Sequence, residues 1–245
     1  MREATRFSFT DPYSDPTPHL LSSLVAPDTE VRLVAAQMLR RLPSARAIPV
    51  LIERLAEETD DATLAEVVET LGILRARDAV SALLALTGSG DDLVRANVAE
   101  ALGWIGVRSP EVTRALFTLL ADPESVVRCY AAESLGDTGY GREAVAALRE
   151  RLESDPSEMV RVWCLYGVAV LTGEIDWDTL GESFADGDAM VRRQALLALR
   201  MLVGDDNTDA TGALLSAALL NETDEELRAE YTAFLRSLSA GEVFP

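Results

Sequence analysis

A fifteen-residue pattern recurs in seven variants along this chain, and a chain built that way folds as stacked copies of one unit. The clearest copy runs from Asp122 to Gly136. Asp122-Pro123 supplies a helix-starting turn, with proline near the first helical position, where its missing N–H costs nothing. Val127, Ala131 and Leu135 recur at four-residue spacing, which sets them on one helical face, and Gly136 is expected just past the helix end.

The seven copies align without gaps. Their leading positions are Val31, Thr63, Val94, Val127, Val160, Val191 and Leu227, and the next column reads Arg32, Leu64, Arg95, Arg128, Arg161, Arg192 and Arg228. Eight residues after the leading position come Leu39, Leu71, Leu102, Leu135, Val168, Leu199 and Leu235, giving a period near 33. A shorter apolar helix precedes each copy: 20–25, 48–55, 80–86, 112–120, 145–152, 180–184 and 214–220. Two helices per period predict an all-α chain of about seven helical hairpins, a right-handed α-solenoid in which no hairpin buries its apolar face alone. The alternation of apolar and polar residues that marks strands is absent. Residues 1–16, polar and broken by Pro12 and Pro16, are expected to form an extended or disordered arm. Residues 17–239 are expected to form a single solenoid, and 240–245 a tail.

The acidic turn, the Val-Arg pair, the paired small residues and the Leu-Gly ending carry a resemblance to a known family. They stand here as Val94-Arg95…Val98-Ala99-Glu100-Ala101-Leu102-Gly103 and Val127-Arg128…Ala131-Ala132-Glu133-Ser134-Leu135-Gly136. The pattern resembles HEAT repeats, most closely the HEAT-like repeats of phycobilisome bilin lyases, across about 17–239. The second copy departs with Thr63-Leu64, the fifth with Cys164-Leu165. The resemblance implies a binding scaffold whose second helices line a concave face. It also implies an alternative, in which aromatic residues help to handle a bilin or other cofactor.

Composition narrows the partner. The chain carries 41 acidic against 22 basic residues, a net charge of −19, and has no lysine. A phosphate backbone must be met by a basic surface, so nucleic acid is an unsuitable ligand, whereas a basic protein is favoured. No apolar run is long enough to cross a bilayer, and the N-terminus lacks a signal-peptide core, so a cytoplasmic monomer without membrane contact is expected. Two cysteines in 245 residues make no disulfide framework.

The repeated polar residues have a structural assignment. Asp28, Asp60, Asp91, Glu124, Ser157, Asp188 and Asp224 lie three residues before the leading position, placed to cap the free N–H groups of a first turn. The arginine column is placed to reach the acidic turn of an adjacent repeat.

A helical wheel locates the surface. With the leading residue at 0° and ~100° per residue, the core positions cluster on one side and the +2 and +6 positions point away from it. The +6 column contains Glu69, Glu100, Glu133 and Tyr166, and the +3 column at its edge contains Asn97, Tyr130 and Trp163. Trp104, ten residues after Val94, is expected on a similar side. These eight residues form the candidate partner-binding surface: aromatic faces attract guanidinium groups, and adjacent carboxylates add charge-assisted hydrogen bonds. The competing assignment is that the glutamates are consensus residues and the aromatics pack between helices.

Catalytic constellations are missing. His19 is the single histidine, so neither a Cys/His zinc set nor a credible Ser-His-Asp arrangement can be written. Gly88-Ser89-Gly90 lacks the lysine of a phosphate loop. Nor does one histidine match the repeated His-Glu ligands of HEAT-type deoxyhypusine hydroxylases. The expectation is a non-enzymatic interaction module or adaptor with no metal or cofactor, binding a basic or arginine-bearing protein partner.

Overall fold

A computed structural model describes residues 16–42, 44–139 and 142–240. The expected arm over 1–16 and tail over 240–245 lie outside these residues, except for Pro16 and Ala240. Among the described residues every regular element is helical, and the fold class is the expected one, all-α and built of HEAT-like helical hairpins.

The chain divides into two compact units, Met1–Ile105 and Gly106–Pro245. The first holds three hairpins: α1 (Thr17–Leu24) with α2 (Thr29–Arg41), α3 (Ile48–Glu57) with α4 (Asp61–Ile73), and α5 (Val80–Ala85) with α6 (Asp92–Ile105). The second holds four: α7 (Pro110–Leu120) with α8 (Ser125–Thr138), α9 (Arg142–Ser154) with α10 (Glu158–Thr172), α11 (Trp177–Phe184) with α12 (Ala189–Leu202), and α13 (Thr208–Asn221) with α14 (Glu225–Ala240). In the first unit α2, α4 and α6 pack in succession; in the second, α8, α10, α12 and α14 do so. Each is backed by the shorter helix of its own hairpin.

The core is the set of repeated apolar columns. Ala35, Val67, Val98, Ala131, Cys164 and Ala195 are buried at the same position of successive second helices, and Leu39, Leu71, Leu102, Leu135 and Leu199 one turn later. Each such leucine taken from water contributes about 1.5–3 kcal/mol.

Helix starts follow the sequence with two exceptions. Asp28, Asp60, Asp91, Asp188 and Asp224 accept backbone N–H bonds of the first turn at 2.8–3.0 Å. Glu124 and Ser157 make no side-chain cap. There the aspartates two residues earlier do related work, Asp122 accepting from the Glu124 N–H and Asp155 from the Ser157 N–H, each at 3.0 Å.

Gly136 corrects a sequence expectation. It lies inside α8 rather than beyond its end, and the Leu135-Gly139 carbonyl–amide bond closes the helix instead. Its lack of a side chain serves packing: a Cβ at Gly136 would sit 2.8 Å from the Gly167 Cα of α10. The two helices therefore touch backbone to backbone. Gly72 of α4 plays the same part against Ala101 and the Trp104 ring of α6.

Three arginines of the column tie one repeat to the next, whereas Arg161 pairs with Glu158 of its own helix. Arg32 forks onto Glu58 with two bonds of 2.9 Å and also donates to the Ala26 and Pro27 carbonyls of its own hairpin turn. Arg128 repeats this with Asp155, and Arg192 with Glu222, each keeping the two turn carbonyls. Every carboxylate in this set belongs to the segment that ends the following repeat's first helix. Burial by itself would raise the Glu58 carboxyl, but the Arg32 fork and the N–H groups of Asp60 and Thr59 hold it at about 2. The Arg192 hydrogen bond, against the opposing effect of burial, holds Glu222 at about 2 as well. Leu64 leaves the second repeat without this tie.

Candidate functional site

The eight candidate residues fall four on each unit, so each set is described by itself. On the first unit Glu69 and Glu100 lie on the adjacent helices α4 and α6, half-buried. Glu69 accepts from Arg40 at 3.3 Å. The Glu100 carboxyl is pushed up to about 7, first by burial and then by the charge of Glu69. Trp104 lies half-buried over Gly72. Asn97 is buried, and its Nδ2 donates to the Ala65 carbonyl at 3.0 Å, linking α6 to α4.

On the second unit Tyr130 and Glu133 are half-buried on α8, while Trp163 and Tyr166 are buried on α10. Trp163 Nε1 donates to Gln194 Oε1 of α12 at 3.0 Å, and Tyr166 donates to Asp137 of α8 at 2.8 Å. The two rings meet edge to face, with centroids 5.6 Å apart. Burial, then the nearby Asp137 carboxylate, raises the Tyr166 hydroxyl, so it stays a neutral donor.

The wheel sets Tyr166 facing away from the core and Asn97 and Trp163 at the edge of that face, yet all three are buried. A second helix here has neighbours on both flanks as well as behind it, so Asn97 and Tyr166 are pressed against the preceding second helix and Trp163 against the following one. A wheel drawn from one helix has no flanks.

Where the flanking contacts open, a groove runs over α8, α10 and α12. It is a cavity of about 440 Å³ lined by Val126, Cys129, Tyr130, Met159, Trp163 and Leu197, with Ser125, Glu133, Gln194 and Met201 around them. Val126, Leu197 and Met201 are 43%, 38% and 48% exposed. Tyr130, Glu133 and Trp163 join this groove, and Tyr166 supports it from beneath through the edge-to-face contact. Reading only aromatic and acidic residues missed its aliphatic members. Part of the signal was present as an apolar residue just before the leading position, Val126 and Met159 in two successive repeats, and as Leu197 in the outward +6 column.

The groove offers contact chemistry. Cys129, which lines it, has its thiol pushed up to about 12, chiefly by burial and then by the charge of Asp155, so it stays protonated and weakly nucleophilic at neutral pH. Among the described residues there is no group of three or more side chains that could hold a metal ion, and no helix is long and apolar enough to cross a membrane.

Known proteins place the chain. No curated protein matches it by sequence. Among solved structures it is similar to the complex of CpcE and CpcF of phycocyanin lyase from Nostoc sp. PCC7120, at 21% identity and a TM-score of 0.70, with 96% of this chain and 99% of that one covered. It is also similar to the YibA protein of Escherichia coli, at 18% identity and a TM-score of 0.52, over 89% and 92% of the two chains. These likenesses are of fold. A family model of HEAT repeats matches residues 17–103 and 83–169, together more than half of the sequence, and the chain belongs to the HEAT-repeat family.

Proposed function

We propose that this HEAT-repeat chain is a protein-binding module whose recognition surface in the second unit is the groove over α8, α10 and α12, and that its partner is a basic segment carrying apolar side chains. The observation that carries this reading is the meeting of solvent-exposed Val126, Leu197 and Met201 with Tyr130, Trp163 and Glu133 in one cavity. Exposed apolar side chains gathered in a concavity mark interaction sites, and tyrosine and tryptophan are common anchors there. The charge of the partner follows from the protein's own. Every arginine of the three helices is committed internally: Arg128 to Asp155, Arg161 to Glu158, Arg192 to Glu222, Arg193 to Glu226 and Glu230, and Arg200 to Phe234 and Glu230. An approaching basic segment meets no uncommitted guanidinium on these helices.

A photo-crosslinking residue at Leu197 tests the reading. It should yield a discrete adduct with a basic protein in host lysate, weakened by salt. The same residue at exposed Glu143 on α9 should not. An adduct from 143 with none from 197 would remove the groove as the recognition surface.

A second reading has one specific observation behind it, the likeness to the phycocyanin lyase complex over nearly the full length of both chains. In that reading the chain handles a tetrapyrrole or similar cofactor together with a partner subunit, and the aromatic groove supplies stacking faces. Titration with tetrapyrroles, followed by absorbance, separates the two: a saturable spectral shift lost on Tyr130→Ala supports the lyase-like role.

A further inference from the structure

We infer that the occupant of the α8–α10–α12 groove is an amphipathic α-helix with a basic flank; this rests on the groove being the recognition surface and goes on to name the form of its partner. The reason is an accounting of backbone hydrogen bonds. A segment bound in extended form brings peptide N–H and C=O groups into the groove, and each must find a partner or incur the cost of desolvation. The groove has too little to offer a whole extended segment: the Ser125 hydroxyl and the Gln194 side-chain NH2 are available to it, but the rest of the lining is not. Val126, Met159, Leu197 and Met201 have no conventional hydrogen-bonding group, and Cys129 has only a weak one. The Gln194 carbonyl already accepts from Trp163 Nε1. Tyr130 and Glu133 have interactions of their own within the protein. A helix needs none of these groups, because its peptide bonds pair within the segment and only its side chains enter.

Dimensions and side-chain types agree. Neighbouring packed helices lie roughly 8–10 Å apart, so a floor of three spans about 20 Å, the length of a helix of about 13 residues. Such a helix presents three or four apolar side chains at i, i+3 or i+4, and i+7. Two of the lining side chains are methionines, whose unbranched chains adapt to such knobs. With the arginines of α8, α10 and α12 already held by internal partners, and a net charge of −19 on the chain, the flanks of the bound helix are arginine- or lysine-bearing.

The test uses the full chain and two synthetic 18-residue peptides of identical Leu/Arg composition. In one, leucine follows helical spacing; in the other, leucine and arginine alternate. Fluorescence anisotropy should show the helical-pattern peptide binding at least tenfold more tightly and gaining helicity in circular dichroism. Leu197→Asp should weaken that binding tenfold or more, while Leu220→Asp, on exposed α13, should change it less than twofold. Tighter binding of the alternating peptide that is still lost with Leu197→Asp would overturn the helical occupant and leave the groove reading standing. Helical-peptide binding that ignores Leu197→Asp would overturn both. A dimer in sedimentation that Leu197→Asp dissolves would instead make a second copy of the chain the occupant, and the inference would fall.

Discussion

Arg128 and Asp155 form a buried fork, Nε to Oδ2 at 2.8 Å and Nη2 to Oδ1 at 2.9 Å, that fastens α8 to the end of the next repeat's first helix. The Asp155 side chain is wholly inaccessible to solvent and that of Arg128 nearly so. Removing either partner leaves a buried charge without its fork, Asp155 keeping only the longer Arg151 contact and the Ser157 N–H, and Arg128 only the turn carbonyls. Arg128→Ala and Asp155→Ala should each destabilise the protein by about 3–5 kcal/mol in urea denaturation, and the double variant should cost much less than their sum. Additive losses would mean that the two side chains act independently.

The same ties predict acid sensitivity. Glu58 and Glu222 are held at about 2, below an ordinary carboxyl near 4.5. A folded pKa below the unfolded one contributes stability that is fully present above the unfolded value and is lost as pH falls toward the folded one. Stability should therefore decline between pH 4.5 and 2. Arg32→Met should remove part of that slope, as read from urea midpoints along a pH series.

Glu100 has the opposite sign. Its carboxyl is pushed up to about 7 by burial and by Glu69, so the folded state holds its proton more tightly than the unfolded chain does. Glu100 then opposes folding increasingly as pH rises from 4.5 to about 7. Glu100→Gln should stabilise the protein by roughly 1–2 kcal/mol at pH 8, allowing for partial solvent screening, and by almost nothing at pH 4. Equal effects at both values would show that Glu100 does not titrate in this way.

Glycine substitutions should split by environment. Gly136→Ala improves helix propensity yet sets a methyl against the Gly167 backbone, so it should destabilise by about 1–3 kcal/mol. Gly212→Ala, in α13 with open space where its Cβ would stand, should stabilise by about 0.5–1 kcal/mol. Thermal melts of the two variants check both signs.

Trp163 and Leu197 separate stability from contact. Trp163→Ala leaves a cavity beside Tyr166 and an unpaired Gln194, and should cost about 3–5 kcal/mol. Leu197→Asp changes an exposed groove residue and should alter the unfolding free energy by no more than ~0.5 kcal/mol. A large loss for Leu197→Asp in chemical denaturation would make it part of the core.

Much of the fold was legible because each repeat writes the same physics seven times. The columns through Ala131 and Leu135 locate the buried face, and those through Asp60 and Arg128 locate the caps and ties, since capping and stacking depend on residues a fixed distance apart along one chain. Less of the candidate surface was legible. Tyr130 and Glu133 line the groove as members of an outward column, but Trp163 and Tyr166 belong to the same columns and are buried. The letters at those positions do not say whether the neighbouring helix offers a Gln194 or an Asp137 to receive them.

The sequence by itself determined the repeat, its all-helical class, the register of its core and the column from which Arg32, Arg128 and Arg192 bind one repeat to the next, because these follow from periodicity within a hairpin and between copies. The tertiary structure alone decided which side chains remain in contact with solvent. Exposure on a stacked helix is set by how closely its neighbours approach, and here that distance is governed by Gly136 against Gly167 and by Trp163 reaching Gln194. Those contacts bury the expected aromatic face and leave Val126, Leu197 and Met201 open beside it.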